Sequence, residues 1–384
     1  MLAFTAKSLY TPLEHIERPL LLVDGRRIVE IASRSAKALP PNTPLTDYGD
    51  DAVLVPGFLD IHIHGGGGRD VMESDASSLS IIQKTLARHG VTSYLPTTVT
   101  APMETTLTSL DRLAAAIEKF AVNGTAGAQP LGIHLEGPFL SHVRRGVHPP
   151  SDLLKPTVKI FNQLWEASRG HIRIITIAPE LDGALEVIVE ATKRGVCVSM
   201  GHSDANLTEA RAGFTAGARH VTHVFNAMRP LEHRDPGILG EALTNSRLTA
   251  EVIADGIHLD PVIVQLVFQT KGLDGVVLIT DATAGTDMPD GRYRLGTFEF
   301  EVKDGKCLSD GKLAGSILTM DRAVRNAMQF AGLDLQQALR AATLNPAKVA
   351  GLDRGVLKPG AQADFLVMNR AGEIQKTVLR GVEI

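Results

Sequence analysis

Histidines and carboxylates recur at the ends of apolar runs along this chain. His62 and His64 end one run, Glu136 ends another, and His202 and His223 lie at two later ones. Residues i and i+2 of a strand point to the same face, so both imidazoles of the His-x-His pair can enter one site. Neutral imidazoles and a carboxylate suit zinc or another borderline divalent ion. The pattern therefore predicts a metal site with open positions.

A further acid follows a later apolar run. Asp281 lies directly after it, in the segment Thr280-Asp-Ala-Thr283. A carboxylate there can accept a proton from metal-bound water and pass it to a leaving group. Its alternative role is an N-cap for a following helix. Beside the histidines, the catalytic role is favoured.

The elements that must position these residues follow a regular alternation. Nearly continuous apolar runs separated by helical patterns are typical of parallel strands covered by helices. Eight such units predict a (β/α)8 TIM-like barrel over 57–355, whose active site lies at the carboxyl ends of the strands. The predicted strands are Gly57–His64, Val91–Val99, Pro130–Glu136, Ile172–Pro179, Val196–His202, His220–Phe225, Leu248–Ala254 and Gly275–Thr280. The predicted helices include Leu79–His89, Glu104–Phe120, Ala184–Arg194, Leu207–Ala216 and Met320–Ala331.

Both ends of the chain are strand-rich. Leu20–Ile31 contains an Asp-Gly turn that predicts a hairpin, and strand-like runs return near the other end. Neither end can bury a sheet face alone, so residues 1–56 and 356–384 are expected to form one small β-sandwich domain. A β-hairpin insertion is expected near 292–316, before the last barrel helix.

Composition narrows the functional classes. The chain has 384 residues and a formal net charge of −4, which gives no general attraction to nucleic acid or an anionic membrane. No apolar run reaches the ~20 residues of a transmembrane helix, and no signal-peptide pattern begins the chain. Its two cysteines, Cys197 and Cys307, are expected in strands rather than in a disulfide framework. A cytoplasmic enzyme is expected.

Together these residues form a recognisable set. The chain resembles the amidohydrolase superfamily and, within it, deacetylases of N-acetylated amino-sugar phosphates. The motifs that carry the resemblance are His134-Leu-Glu-Gly-Pro-Phe139, Gly201-His-Ser203, Thr222-His-Val-Phe-Asn-Ala-Met228, Asp255-Gly-Ile-His258, Thr280-Asp-Ala-Thr283 and Leu313-Ala-Gly-Ser316. The resemblance implies hydrolysis of the acetamide of N-acetylglucosamine 6-phosphate to glucosamine 6-phosphate and acetate.

The resemblance also implies roles for particular residues. Glu136, His202 and His223 would hold the main metal, with His62 and His64 available to a second. Asp281 would be the general base and acid, and His148 would polarise the acetamide carbonyl and contact the sugar. The remaining implied substrate-binding residues are Asn226, Ala227, Arg234, His258, Leu313, Ala314 and Gly315. Asn226 and Ala227 would offer backbone amides to the phosphate.

Several alternatives stay open at this point. One or two metals per subunit are expected, with Zn²⁺ favoured and Fe²⁺, Co²⁺ or Mn²⁺ acceptable to the same ligands. A homodimer or higher homo-oligomer is implied, in which a neighbouring subunit completes the phosphate site. The predicted fourth strand has no lysine, which argues against relatives that bridge two metals with a carboxylated lysine. Another metal-dependent amide hydrolase and a non-catalytic sugar-phosphate-binding barrel are the rival hypotheses.

Overall fold

A closed ring of parallel strands forms the centre of the computed structural model, which describes residues 1–75, 77–123 and 127–384. Each barrel strand pairs in parallel with the next one along the chain. The ring closes where Asp281 N–H donates to the His62 carbonyl at 2.9 Å and His64 N–H donates to the Ala282 carbonyl at 2.8 Å. The barrel strands are Phe58–Ile63, Val91–Thr98, Ile133–Glu136, Ile172–Ile177, Cys197–Met200, His220–Val221, Thr249–Val252 and Val276–Leu278. The predicted TIM-like barrel is confirmed.

Helices surround this ring because the strands are buried on both faces and expose no polar side. Most residues of the eight strands are buried, and their apolar side chains join one continuous core with the helices. Asn206 shows how a helix begins, since its side chain accepts from Glu209 N–H in a capping box. The helices are Ser78–Arg88, Met103–Asn123, Val158–Ala167, Ala184–Lys193, Leu207–Ala216, Gly237–Thr244, Pro261–Gly275, Met320–Ala331, Leu335–Ala342 and Leu344–Val349, with a 3-10 turn at Pro150–Asp152.

All eight barrel strands are shorter than the sequence pattern indicates, and the third and the sixth depart most from it. The third splits into Gln129–Pro130 and Ile133–Glu136. The sixth ends at Val221 rather than Phe225, because the following backbone takes positive φ values of 23° at His223 and 75° at Phe225. Positive φ is incompatible with an extended strand. The chain therefore turns into the barrel mouth earlier than its apolar run suggests.

The two ends of the chain pack together as a pair of sheets. Strands from both ends share the larger sheet, in which Val53–Pro56 pairs with Phe365–Met368. Apolar side chains of the two sheets form a separate core. One sheet contains Leu2–Thr5, Pro19–Asp24, Arg27–Ser33 and Leu45–Asp47; the other contains Ser8–Tyr10, His15–Glu17, Val53–Pro56, Phe365–Met368, Ile374–Leu379 and Val382–Glu383. The domain boundaries at 56/57 and 355/356 stay a prediction.

The insertion before the last barrel helix is larger than a hairpin. It is a four-stranded antiparallel sheet, so the expectation of a single hairpin is wrong. Gly296, with φ of 57°, forms a turn between the strands Gly291–Leu295 and Phe298–Lys303, which a single hairpin near 292–316 would not contain. The four strands are Gly291–Leu295, Phe298–Lys303, Lys306–Ser309 and Lys312–Leu313, and a separate short ribbon pairs Gly65–Gly66 with Arg69–Asp70.

Two smaller predictions concern the cysteines and the membrane. Cys197 and Cys307 both lie in strands and are free thiols, as predicted. In the part of the chain that the structure describes, no helix combines the length and the apolar character needed to cross a bilayer.

A ring pair tests whether the terminal sheets form one folding unit. Phe4 and Phe365 meet edge-on, with ring centroids 5.1 Å apart, across the core between the sheets. Phe4→Ala and Phe365→Ala should each cost about 3–5 kcal/mol in unfolding free energy. The double variant should show a coupling of about 0.5–1.5 kcal/mol in denaturant titrations. Strictly additive losses would contradict a shared core.

Candidate active site

A polar cleft opens at the carboxyl ends of the barrel strands, where the fold class places active sites. Its empty volume is about 520 Å³ and it is open to solvent. Residues at or beyond the ends of seven of the eight barrel strands, together with the 141–150 loop and the insertion, line it. The lining residues are His64, Val99, Glu136, Gly146, Val147, His148, His202, His223, Asn226, Ala227, His258, Asp281, Leu295, Leu313 and Gly315.

Three ligand-type atoms converge on one point in this cleft. Glu136 Oε1 lies 3.2 Å from His202 Nε2 and 3.1 Å from His223 Nε2. The two imidazole nitrogens are themselves 3.1 Å apart. All three side chains are almost fully buried. The structure thus brings together the three predicted main metal ligands.

The protonation of His202 can be assigned from its surroundings. Its Nδ1 lies 3.0 Å from the Arg144 carbonyl, which can only accept, so the ring proton is on Nδ1. Burial lowers the pKa of His202 to about 4, which keeps the ring neutral. Its Nε2 therefore presents a lone pair towards Glu136 and His223.

A divalent cation fits this arrangement. A lone pair of His202 and a carboxylate oxygen at hydrogen-bond distance repel each other unless a proton or cation lies between them. Two ligands of a tetrahedral ion with bonds of about 2.0–2.1 Å are separated by about 3.3–3.4 Å, close to the observed 3.1–3.2 Å. The donor set of one carboxylate and two imidazoles is that of a metal site with room for further ligands.

A second group of ligand-type atoms adjoins the first. His64 Nε2 lies 3.0 Å from Asp281 Oδ1 and 3.5 Å from Glu136 Oε2. His62 Nε2 lies 3.4 Å from Glu136 Oε1, and among the described residues it makes no hydrogen bond. The carboxylate of Glu136 therefore stands between the two groups. This geometry could hold a second cation on His62, His64 and Asp281.

A buried glutamate, Glu251, orients histidines of both groups, and the sequence analysis did not predict it. Glu251 accepts from His62 Nδ1 at 2.9 Å, from His220 Nε2 at 3.1 Å and from the backbone N–H of His223 at 3.0 Å. Burial alone would raise the pKa of Glu251, but the charge of His62 and these hydrogen bonds hold it well below its usual range. Because Glu251 accepts the Nδ1–H hydrogen bond of His62, Nε2 is the nitrogen that a neutral His62 would offer to a cation. A charged residue within a predicted buried strand was the available signal.

Asp60 is a second residue that the sequence analysis overlooked. It precedes His62 by two positions and therefore shares its strand face. Its carboxyl accepts from Thr280 Oγ1 at 2.5 Å and from His62 N–H at 3.3 Å, which ties the first barrel strand to the segment before Asp281. Burial raises the pKa of Asp60 to about 7.

His148 carries its proton on the nitrogen that faces the cleft. Thr100 N–H donates to His148 Nδ1 at 3.2 Å, so Nδ1 is an acceptor and Nε2 bears the proton. His148 Nε2 lies 3.4 Å from Glu136 Oε2. His148 is thus a hydrogen-bond donor in the cleft rather than a metal ligand.

Asp281 is held as a carboxylate beside the ligand cluster. Burial alone would raise its pKa, but the hydrogen bond and charge of His64 outweigh burial and lower it. Its backbone has φ of 50°, and His202 and His223 have φ of 46° and 23°. Left-handed backbone at non-glycine residues costs about 1–3 kcal/mol each and concentrates at functional sites. These turns direct the side chains of His202, His223 and Asp281 into the cleft at the ends of their strands.

The predicted substrate residues fall into two sets. Asn226, Ala227 and His258 line the cleft, as do Leu313 and Gly315. The structure does not bring the other two predicted residues, Ala314 and Arg234, into this cleft. Ala314 is fully buried in the core of the insertion sheet, and Arg234 lies on an exposed segment.

His258 is suited to bind an anion. Its Nδ1 donates to Asp255 Oδ2 at 2.7 Å. Burial alone would lower the pKa of His258, but the hydrogen bond and charge of Asp255 raise it, which favours the imidazolium. No lysine or arginine belongs to the described cleft lining, so His258 is its principal basic group away from the ligand cluster.

The chain is similar to proteins of known function over most of its length. The model of the amidohydrolase family matches residues 53–384. The chain is 37% identical over 356 residues to N-acetylgalactosamine-6-phosphate deacetylase of Escherichia coli O157:H7, covering 92% of this chain and 93% of that one. It is 40% identical over 345 residues to human N-acetylglucosamine-6-phosphate deacetylase, covering 86% and 82%.

The solved structures agree with the sequence comparisons. The crystal structure of N-acetyl-D-glucosamine-6-phosphate deacetylase from Mycobacterium smegmatis superposes with a TM-score of 0.91 at 34% identity, covering 100% of both chains. The (β/α)8 fold with its metal-type cleft defines a metal-dependent hydrolase. This chain belongs to the amidohydrolase family.

The contacts of Glu251 predict an effect on metal binding. Glu251→Gln keeps an oxygen for His62 Nδ1–H but removes the negative charge that makes His62 Nε2 a strong ligand. The affinity for divalent cation should fall about 10–100-fold, as is typical when a partner behind a ligand is lost. Chelator competition with Co²⁺, read by absorbance, measures it.

The matched control is Glu241→Gln. Glu241 is also a buried glutamate, but it bonds Arg211 and Asn245 away from the cleft. Its replacement should leave Co²⁺ affinity unchanged. Equal affinities in the wild type and in Glu251→Gln would show that Glu251 does not tune the site.

Proposed function

We propose that this chain is a metal-dependent deacetylase that hydrolyses N-acetylglucosamine 6-phosphate to glucosamine 6-phosphate and acetate. The carrying observation is the convergence of Glu136, His202 and His223 beside an ionised Asp281. A binding protein without turnover has no need of a carboxylate base next to a metal site. The names of the human and Mycobacterium smegmatis relatives support the substrate.

The residues divide the work of amide hydrolysis. Glu136, His202 and His223 would hold a divalent cation, which would supply Lewis acidity and lower the pKa of a water molecule. Asp281 takes the proton of the attacking water and gives it to the amine nitrogen as the C–N bond breaks. His148 Nε2–H donates to the carbonyl oxygen, where negative charge develops. We favour Zn²⁺ for the cation, while Fe²⁺, Co²⁺ and Mn²⁺ suit the same ligands.

We propose that the sugar phosphate binds near the ends of the sixth and seventh barrel strands. Asn226 and Ala227 would offer backbone amides to the phosphate, and His258 would offer a cation. The described lining of the cleft has no lysine or arginine of its own. Arg234, exposed on its own chain, would therefore reach the phosphate of a second copy in a homodimer or larger homo-oligomer. Free cysteines fit a cytoplasmic setting.

A second candidate substrate is the galactose epimer. The Escherichia coli relative, whose name specifies N-acetylgalactosamine 6-phosphate, matches 92% of this chain at 37% identity. The two sugars differ only in the configuration at C4, so the same ligand cluster can act on either acetamide. The ratio of kcat/KM for the two phosphorylated sugars assigns the preference.

Acetate release tests the proposed function. The metal-loaded enzyme should release acetate from N-acetylglucosamine 6-phosphate much faster than from unphosphorylated N-acetylglucosamine, because only the former engages a phosphate site. Chelation should abolish turnover, and added Zn²⁺ should restore it. Equal rates on both sugars would remove the phosphate site from the account. If neither sugar releases acetate, N-acetylglucosamine 6-phosphate is not the substrate, and the chain is an amidohydrolase that acts on another amide.

Asp281→Asn should separate catalysis from metal binding. The amide cannot accept the water proton, so kcat should fall by about 10²–10⁴-fold. Metal content by mass spectrometry should stay near that of the wild type. Asp310→Asn is the matched control, because Asp310 has a similar φ of 49° but lies on the exposed rim of the insertion. Turnover near the wild-type rate in Asp281→Asn would rule out Asp281 as the base.

Arg234→Ala should raise KM for the phosphorylated sugar and leave kcat largely intact. Arg370→Ala, an exposed arginine of the small sandwich, is the control and should change neither. Mixed oligomers of Arg234→Ala and Asp281→Asn chains test whether Arg234 of one subunit binds the phosphate in the site of another. If Arg234 acts on a neighbouring subunit, mixing restores activity at low substrate concentration. Activity no greater than that of the unmixed variants would place Arg234 on its own site or on none.

A further inference from the structure

One wall of the cleft is apolar, in contrast to the rest of its lining. Val99, Val147, Leu295 and Leu313 line the cleft. Val99 and Leu295 are almost fully buried, at 3% and 2% exposure, and belong with Val147 to the core of the insertion sheet. This wall contributes no polar side chain to a ligand.

The apolar wall faces the proposed phosphate site across the barrel. Val99 directly follows the second barrel strand, and Asn226 follows the sixth. Strands two and six are opposite each other in a ring of eight paired in sequence order. A ligand with its phosphate near Asn226 therefore extends past the ligand cluster towards Val99.

The wall is fixed in place before any ligand binds. Asp70, a buried carboxylate, accepts from Gly296 N–H at 2.9 Å and so anchors the first turn of the insertion. A Cβ at Gly296 would lie 2.4 Å from Val99 Cγ2, which shows how closely the turn packs on Val99. Leu295 precedes this turn, so its position is set by the same contact.

The same segment also positions the donor for the carbonyl oxygen. Val99 precedes Thr100, whose N–H fixes His148 Nδ1 at 3.2 Å, and Val147 precedes His148 itself. The two valines are therefore next to the group that binds the carbonyl oxygen. In the proposed mechanism, the other substituent of that carbonyl carbon, on the side away from the sugar, would lie against this wall.

We propose that Val99, Val147 and Leu295 form the acyl pocket and set the length of acyl chain that the enzyme removes. This inference rests on the proposed function, since it concerns the methyl group of the acetamide. The amide nitrogen leads to the sugar and the polar side, so the methyl group points to the apolar wall. One methylene more or less in an apolar pocket changes kcat/KM by about 10–200-fold. The wild type should prefer acetyl over propionyl, and propionyl over butyryl.

Enlarging the pocket tests the proposal. Leu295→Ala and Val99→Ala should each raise the ratio of kcat/KM for N-butyrylglucosamine 6-phosphate to that for the N-acetyl substrate by about tenfold or more. Val99→Ala removes less volume and carries the test if Leu295→Ala does not fold. The ratio within one variant is independent of the amount of active enzyme.

Val302→Ala is the matched control. Val302 belongs to the same insertion core but does not line the cleft, so its truncation loosens the sheet without enlarging the pocket. It should leave the butyryl-to-acetyl ratio at the wild-type value. A ratio that rises equally in Val302→Ala, or in no variant, would overturn the acyl pocket while acetyl turnover still supports the proposed function. Absence of acetyl turnover in the wild type would instead reject the proposed function.

Discussion

The carboxylate of Glu136 is the constraint on which the site depends. It is buried, with His62, His64, His148, His202 and His223 all within 3.5 Å of its oxygens. A buried charge is tolerated only when it is paired and hydrogen-bonded. The neutral ring of His202 presents a lone pair rather than a proton to this carboxylate, an arrangement that a bound cation would stabilise. The barrel brings residues distant in sequence to that point, because the carboxyl ends of its strands share one rim.

Outer contacts give each of these groups a defined role. Glu251 accepts a hydrogen bond from His62 Nδ1–H, and the Arg144 carbonyl accepts one from His202 Nδ1–H. Thr100 N–H donates to His148 Nδ1, which leaves His148 Nε2 as the donor. In each imidazole, the hydrogen bond made by Nδ1 determines whether Nε2 acts as a metal ligand or as a hydrogen-bond donor. The closing hydrogen bonds between the first and last strands place Asp281 among them. Backbone strain at the strand ends is stabilised by the packed barrel below.

Much of this could be read from the sequence, and the failures have physical causes. The barrel followed from apolar periodicity, and the ligand cluster from side chains at strand ends, because both are local patterns. Glu251 was overlooked because its partners are distant in sequence, and a strand pattern does not reveal what faces it across the barrel. The insertion was predicted as a hairpin because the residues on both sides of Gly296 alternate like a single strand, and this alternation hides the turn at Gly296. Ala314 was expected at the substrate, but it directly follows the strand Lys312–Leu313 and its side chain packs into the insertion core, a long-range contact that the local sequence does not reveal.

The most direct test of the account is the position of the bound cation. Anomalous diffraction at the zinc absorption edge, from crystals of the full chain grown with Zn²⁺, locates it without any assumption about substrate. We expect a peak about 2.0–2.2 Å from Glu136 Oε1, His202 Nε2 and His223 Nε2. A fully formed barrel with no anomalous peak at these three atoms, or with zinc bound only elsewhere, would contradict it.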